Sequence, residues 1–194
     1  MARKILIPPF LSEMISSSVT VFDGVGFSEI HRYCTSCKGP LRRHDVRMKR
    51  FARLIWGDST RDINVYITRY RCRECNRLWY ADEPFYPGTR HGVPVVDLTV
   101  ALSARYPFHK TARILSEIGI KIDRGTVRLY QRLPQPGTTD MYGIPVPDCI
   151  IALSGLVAEG RSVEGAELLA ALALPPTERT APERRPASEE ERDE

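Results

Sequence analysis

Long apolar runs are missing from this chain of 194 residues. A membrane-spanning helix needs about 20 consecutive apolar residues. The most apolar stretch, 149–174, is interrupted by four charged residues: Glu159, Arg161, Glu164 and Glu167. The N-terminal segment begins with basic residues, but Pro8 and Pro9 break its short apolar run, which argues against a signal peptide. We therefore expect a protein with no membrane association.

Acidic residues are scarce in the middle of the chain. From Arg32 through Arg132 there are 21 Lys and Arg against 9 Asp and Glu, a net charge of +12, whereas the whole chain carries +4. Basic residues of this kind can simply solvate a surface. The excess also favours a polyanionic partner over an acidic small molecule, and nucleic acid is the first candidate.

Cysteine is infrequent too, yet four of the five cysteines form two Cys-x-x-Cys pairs. Cys34 pairs with Cys37 and Cys72 with Cys75, and this spacing is typical of a zinc ribbon, in which each pair wraps one turn around a tetrahedral ion. Four protein ligands leave no open position for water, so the Zn²⁺ would be structural. The fifth cysteine, Cys149, lies in an apolar helical segment and is predicted to be part of the core.

Thiols that remain free to bind zinc indicate a reducing compartment. We therefore expect a cytoplasmic, nucleoid-associated protein. Disulfides or redox-active thiols are the alternatives, but neither pair stands at the strand-to-helix junction of a βαβ unit, where a thioredoxin-like redox motif would lie.

Between the two cysteine pairs the pattern predicts a β-hairpin. Its arms are 42–55 and 62–71, and Gly57-Asp58-Ser59 marks the turn. In the second arm the residues alternate, with 63, 65 and 67 on one face and 64, 66 and 68 on the other. In the first arm Arg47, Lys49 and Arg53 are predicted to form a charged face.

Three helices are predicted after the second cysteine pair. The first two cover 95–103 and 108–118, where Gly119 ends the second, and the third runs from an N-cap at Asp123 to about Leu133. Together they have the size of a helix-turn-helix unit. Arg124, Arg128 and Arg132 fall at i, i+4 and i+8, which places them on one face of the third helix, as in a recognition helix.

The fold class predicted is α+β: a small zinc-ribbon β-hairpin module, a helix-turn-helix three-helix unit, a helical hairpin and a disordered tail. The helical hairpin has apolar faces that would suit a homodimer contact through 148–174. The predicted boundaries are 1–28 for a loosely ordered lead-in, 29–82 for the zinc ribbon, 83–93 for a linker, 94–134 for the helix-turn-helix, 145–174 for the helical hairpin and 175–194 for an acidic tail.

Two segments carry a resemblance to a known family. The run Pro87-Gly88-Thr89-Arg90-His91-Gly92 and the later run from Ile118 to Arg128 resemble the N-terminal part of prokaryotic insertion-sequence transposases. The similarity covers about residues 30–133. In that family a zinc ribbon and a helix-turn-helix bind the terminal repeats of the element, so the resemblance implies binding to double-stranded DNA.

The resemblance does not extend to the family's catalytic chemistry. The transposase catalytic domain holds two metal ions with three carboxylates on a ribonuclease-H-like fold, and the acids beyond Arg132 show no βαβ pattern that would bring three of them together. His31, His44, His91 and His109 are isolated, so a His-x-His site is absent as well. With no phosphate-binding loop or Ser-His-Asp arrangement, we expect a protein that is not an enzyme.

The leading hypothesis is a transposase-like protein, either a silent remnant or a regulator, that binds DNA sequence-specifically. The third helix would read sequence, and the ribbon would contact phosphates. The predicted contacts are Arg124, Arg128, Gln131 and Arg132 on the helix and Arg47, Lys49, Arg53, Arg69 and Arg71 on the ribbon. The alternative is an RNA- or protein-binding zinc ribbon with an aromatic platform made by Tyr66, Tyr70, Trp79 and Tyr80.

Overall fold

The computed structural model describes residues 7–172 and has the mixed α+β composition that the sequence predicts. The helices are α1 (Pro9–Thr20), α2 (Val93–Arg105), α3 (Phe108–Ile118), α4 (Arg124–Tyr130), α5 (Asp148–Ala158) and α6 (Gly165–Ala171). The strands are β1 (Gly26–Phe27), β2 (Leu41–Trp56), β3 (Ser59–Cys72), β4 (Leu78–Tyr80), β5 (Thr138–Met141) and β6 (Ile144–Pro147).

The long antiparallel hairpin of β2 and β3 is the scaffold on which the rest of the chain packs. Both arms and the turn lie where the sequence predicts them, with Gly57 in the left-handed conformation at φ 55°. Ile63, Val65 and Ile67 are fully buried, as their alternation predicts. Strand β3 lies between β2 on one side and the short strands β1 and β4 on the other, so β2 forms an edge of the sheet.

A β-bulge in β2 changes the predicted charged face. The register shifts between Arg50 and Ala52, which inserts Phe51 as an extra residue and turns its ring into the core. Lys49 pairs with Val65 on the core side of the sheet, whereas Arg53 pairs with Asp62 on the opposite side. The prediction that Arg47, Lys49 and Arg53 share one face is therefore wrong, because an extra residue reverses the alternation.

One hydrophobic cluster joins α1, the hairpin, α2 and the C-terminal helices. Helix α2 is at its centre, since every residue from Val93 to Ser103 is buried. The sequence predicts a loosely ordered lead-in, but α1 places Leu11, Ile15 and Val19 in this cluster with no exposed surface. Because these three residues recur at four-residue spacing, they form one apolar stripe that packs inward.

The second and third predicted helices differ in accuracy at their ends. Helix α3 has the predicted bounds, and Gly119 ends it in the left-handed conformation at φ 104°. Helix α4 begins after its predicted N-cap Asp123 but ends at Tyr130, three residues before Leu133. The residue before a proline disfavours helical backbone, so the chain leaves the helix ahead of Pro134 and Arg132 lies in the following turn.

The region after α4 contains a hairpin that the sequence pattern does not predict, formed by β5 and β6. Helices α5 and α6 then follow around the predicted turn at 159–161, although α6 begins at Gly165 rather than near Ser162. No helix within 7–172 is long and apolar enough to cross a membrane. The predicted disordered tail lies outside the described residues.

The apolar faces of the predicted helical hairpin are mostly covered by the chain itself. Five of their residues belong to the hydrophobic cluster: Cys149, Ile150, Leu153, Leu168 and Leu172. Helix α1 packs against α5. On α5 the most exposed large apolar side chain is Ile151, which is 36% exposed. The apolar surface from which the homodimer contact is predicted is therefore largely covered within the chain.

Candidate metal centre and basic surface

The two Cys-x-x-Cys pairs converge at one end of the sheet. The sulfurs of Cys34, Cys37, Cys72 and Cys75 all lie within 4.8 Å of one another. Cys34 Sγ is 3.7 Å from Cys75 Sγ, and Cys37 Sγ is 3.4 Å from Cys72 Sγ. A tetrahedral ion with metal–sulfur bonds of about 2.3 Å requires sulfurs about 3.8 Å apart. The four thiols therefore fit a tetrahedral metal ion.

The two cysteine turns have the same backbone geometry. Lys38 and Asn76, which directly follow the second cysteine of each pair, both have φ 60°. The amide of Cys34 donates to the carbonyl of Gly39, and the amide of Cys72 donates to the carbonyl of Arg77, each at 2.9 Å. Each loop thus closes over the same number of residues and directs its two sulfurs to a common point.

The environment of the first cysteine of each pair favours the thiolate. Burial raises the pKa of Cys34, but backbone amides of Cys37 and Ser36 and the neighbouring thiols outweigh it and lower the pKa to about 6. The amides of Cys75 and Glu74 likewise lower the pKa of Cys72 against its burial. Since the thiolate is the form that binds metal, these amides prepare the site for a cation.

The two cysteine turns pack tightly against each other and against an indole ring. A Cβ atom on Gly39 would lie 2.5 Å from Glu74 Cγ and 3.0 Å from Cys72 Sγ, so this close approach requires glycine. Trp79, only 5% exposed, forms a small apolar cluster with Cys34 and Cys72. This cluster is separate from the main core.

The basic residues predicted on the ribbon are mostly paired with carboxylates. Lys49 bonds to Glu83, Arg53 to Asp62 and Arg69 to Asp45. Arg47 is exposed and makes no ion pair among the described residues. Arg71 lies opposite Arg42 in the sheet, and its buried Nε has no hydrogen-bond partner within 7–172. Three of the five ribbon residues predicted to contact phosphates therefore bond to carboxylates of the protein itself.

The predicted helix contacts all lie at the surface. Arg124, Arg128, Gln131 and Arg132 are exposed, while Val127 and Tyr130 on the opposite side of α4 are buried. Asp123 caps the helix by accepting hydrogen bonds from the amide of Thr126 at 3.0 Å and from its hydroxyl at 2.6 Å. The structure thus presents Arg124 and Arg128 one helical turn apart, with no carboxylate partner in the described chain.

The segment around His91 connects α4 to the hairpin. Tyr130 Oη accepts a hydrogen bond from the amide of Arg90 at 3.2 Å and lies 2.8 Å from His91 Nδ1. Burial, followed by the charge of Arg50, lowers the pKa of His91 to about 4. Its ring is therefore neutral at physiological pH, and the tautomer decides whether Nδ1 donates to Tyr130 Oη or accepts from it.

A second polar cluster lies inside the protein, beside α2. Asp97 is 5% exposed and accepts hydrogen bonds from Tyr86 Oη at 2.9 Å and from Cys149 Sγ at 3.5 Å. Burial raises the pKa values of all three groups. Cys149 is a core residue, as predicted, and is not part of the four-cysteine group.

The aromatic residues proposed as a stacking platform do not form one. Trp79, on β4, is buried beside the cysteines, whereas Tyr66, on β3, is 41% exposed. These two rings therefore do not present one surface. Tyr70 donates a hydrogen bond to the carbonyl of Ser28. Tyr80 lies beneath the cationic groups of Lys49 and Arg69. Bases could therefore not stack on these four rings together.

Comparisons with protein-family models, with curated proteins and with solved structures found no match for this chain. What the chain binds must therefore be argued from its own geometry and charge.

Proposed function

We propose that this protein binds double-stranded DNA, with α4 reading base edges and a structural zinc ion holding the ribbon together. The observation that carries the proposal is the exposed pair Arg124 and Arg128, one turn apart on a helix whose other side is buried. Arginine donates two hydrogen bonds to the edge of guanine, the commonest specific contact in the major groove. The net charge of +12 over 32–132 supports the same partner.

Zinc is the metal that the four-cysteine donor set favours. Four thiolates at tetrahedral spacing suit Zn²⁺, whereas hard cations such as Mg²⁺ and Ca²⁺ require oxygen ligands. Cys34, Cys37, Cys72 and Cys75 would hold the ion, and their sulfurs would supply its complete coordination shell. The ion would fix the two turns against each other, and its contribution is to folding.

The relation to insertion-sequence transposases is part of the proposal. It is supported by the packing of the two segments that resemble that family: Arg90 and His91 from the first contact Tyr130, just beyond the second. We propose a DNA-binding regulator or remnant without catalytic activity. A homodimer through α5 and α6 is a further proposal, which the mass in solution would test by light scattering.

The test is binding of the zinc-loaded chain to duplex libraries, followed by selection of the preferred sequence. Arg124→Ala and Arg128→Ala should each reduce discrimination at one position by about 1–3 kcal/mol. Arg161→Ala is the matched control, because this exposed arginine bonds to Glu159 and Glu167 in the C-terminal region. Unchanged discrimination in both α4 variants would refute the role of α4.

A parallel arm with single-stranded DNA and RNA separates the proposal from the ribbon-only alternative. Tighter binding to single strands than to duplex would favour RNA or single-stranded DNA as the partner. Binding to duplex should fall steeply with salt, by about 0.9 log units per tenfold salt for each phosphate neutralised.

A further inference from the structure

The hairpin and the three-helix region are joined by backbone hydrogen bonds, not only by side-chain packing. The turn between α3 and α4 lies along the edge of β2, where the amide of Ile55 donates to Gly119 at 2.7 Å and the amide of Lys121 donates to Arg53 at 2.9 Å. Leu54 and Ile120 form a β-bridge at the same place. The turn therefore extends the sheet and fixes α4 relative to the ribbon.

A second connection lies next to the first. The amide of Gly92 donates to the carbonyl of Phe51 at 2.8 Å, and the preceding residues, Arg90 and His91, contact Tyr130 of α4. The segment 90–92 thus bridges β2 and α4. Gly92 is required for this approach, because a Cβ atom there would lie 1.9 Å from the ring of Phe51.

Three cations with little or no carboxylate pairing lie at this junction, which we call the seam and define by Arg50, Arg90 and Lys121. All three side chains are exposed. Within the described chain neither Arg90 nor Lys121 has a carboxylate within ion-pair distance. Arg50 lies 3.5 Å from a carboxylate oxygen of Asp62, which also bonds to Arg53. Residues 119–121 bond to the backbone of β2 at Arg53 and Ile55, and Gly92 bonds to it at Phe51. The three cations therefore lie around one short stretch of the strand.

The carboxylates nearest the seam are already engaged. Asp62 bonds to Arg53, and Asp123 caps α4 through Thr126. Arg50, Arg53, Arg90 and Asp123 are all close enough to His91 to influence its pKa, so these charges lie around a single half-buried ring. The seam therefore keeps a positive excess, because among the described residues only Asp62 contacts one of its cations and Asp62 is shared between Arg50 and Arg53.

We propose that the seam binds the phosphate backbone of duplex DNA, and that Arg90 and Lys121 are the phosphate contacts that position α4 in the groove. The inference rests on the proposed function, which it deepens. Phosphate contacts fix the orientation of a DNA-binding protein on the duplex, while base contacts supply its specificity. A cationic seam held rigidly next to α4 has the position that this role requires. Lys49, Arg53 and Arg69 are already bonded to carboxylates of the protein and are therefore less available to phosphates.

The test measures duplex affinity over a salt series for Arg90→Ala, Lys121→Ala and the double variant, using the full zinc-loaded chain and duplexes of two unrelated sequences. Each single change should lower the magnitude of the salt slope by about 0.9 and the double change by about twice that amount, equally on both sequences. Arg90→Lys should preserve the slope, because a phosphate contact needs the charge and not the guanidinium fork.

Arg105→Ala is the charge-matched control. This exposed residue lies at the opposite end of α2 from Gly92, about 18 Å along a 13-residue helix, where it bonds to Asp140. It should leave the slope unchanged. Circular dichroism and the melting temperature should be the same in all variants, since the replaced side chains are exposed.

The outcomes separate the two proposals. Steep duplex binding by the native chain, with the same slope in the Arg90 and Lys121 double variant, would overturn the seam assignment and leave the function of α4 intact. Absence of salt-dependent duplex binding by the native chain would overturn both. Stronger binding to RNA, with the seam variants affecting that binding, would assign the seam to a different nucleic acid and refute the proposal made here.

Discussion

Removal of the metal should unfold one end of the sheet while the rest of the protein stays folded. The cysteine turns pack around Trp79 in a cluster that shares no buried residue with the main hydrophobic core. Chelation should therefore transfer Trp79, which is 5% exposed, into water. The helices should persist, because their core contains none of the four metal-binding cysteines.

The expected size of the effect follows from two contributions at this end of the sheet. Burying the indole contributes about 4–6 kcal/mol, from an area of about 150–250 Å² at about 25 cal/mol per Å². A structural zinc ion bound by four thiolates supplies about 10–16 kcal/mol at neutral pH. Because the ion would contribute the larger share, the cluster around Trp79 should not remain closed after the metal is lost.

The assay is tryptophan fluorescence during chelator titration in a Trp56→Phe background. Trp56, which is 65% exposed at the hairpin turn, would otherwise contribute a constant signal from water. Since the chain has two tryptophans, the emission then reports Trp79. We expect a red shift, faster hydrogen exchange at the amides of Cys34 and Cys72, and nearly unchanged helical circular dichroism.

Two substitutions control the experiment. Cys37→Ser should abolish metal binding and give the red-shifted emission without chelator, whereas Cys149→Ser should bind the metal normally. A chain that is isolated without bound metal and still protects Trp79 would refute the reasoning. So would complete loss of metal with no change in emission or exchange.

Two further predictions concern packing and burial. Gly92→Ala should destabilise the protein by about 1–3 kcal/mol or more, because the added Cβ would overlap the ring of Phe51. Gly155→Ala, in α5 with open space around it, should stabilise the protein by about 0.5–1 kcal/mol. Urea denaturation measures both changes, and equal effects of the two substitutions would contradict the packing. Burial raises the pKa of Asp97, so its contribution to stability is full below about pH 4 and declines as the pH rises towards the folded pKa. Asp97→Asn should remove that decline. If the difference in the free energy of unfolding between this variant and the native chain stays the same from about pH 4 to about pH 8, the prediction is refuted.

The sequence predicted the features that depend on neighbours along the chain. The cysteine spacing, the alternation from Ile63 to Ile67, the helix end at Gly119 and the Asp123 cap are all local patterns, and the structure has each of them. The error on the faces of β2 arose where distant parts of the chain meet. The bulge at Phe51 reverses the faces of β2 because the ring packs into a core that several elements build.

The sequence by itself determined that four thiols are spaced for a metal and that the middle of the chain carries a large positive charge. Only the tertiary structure decided which of those charges remain available. Pairing of Lys49, Arg53 and Arg69 with carboxylates depends on the strand register and on the segment after β4. The juxtaposition of Arg90 and Lys121 depends on backbone hydrogen bonds between segments far apart in sequence, and a periodic pattern carries no information about such contacts.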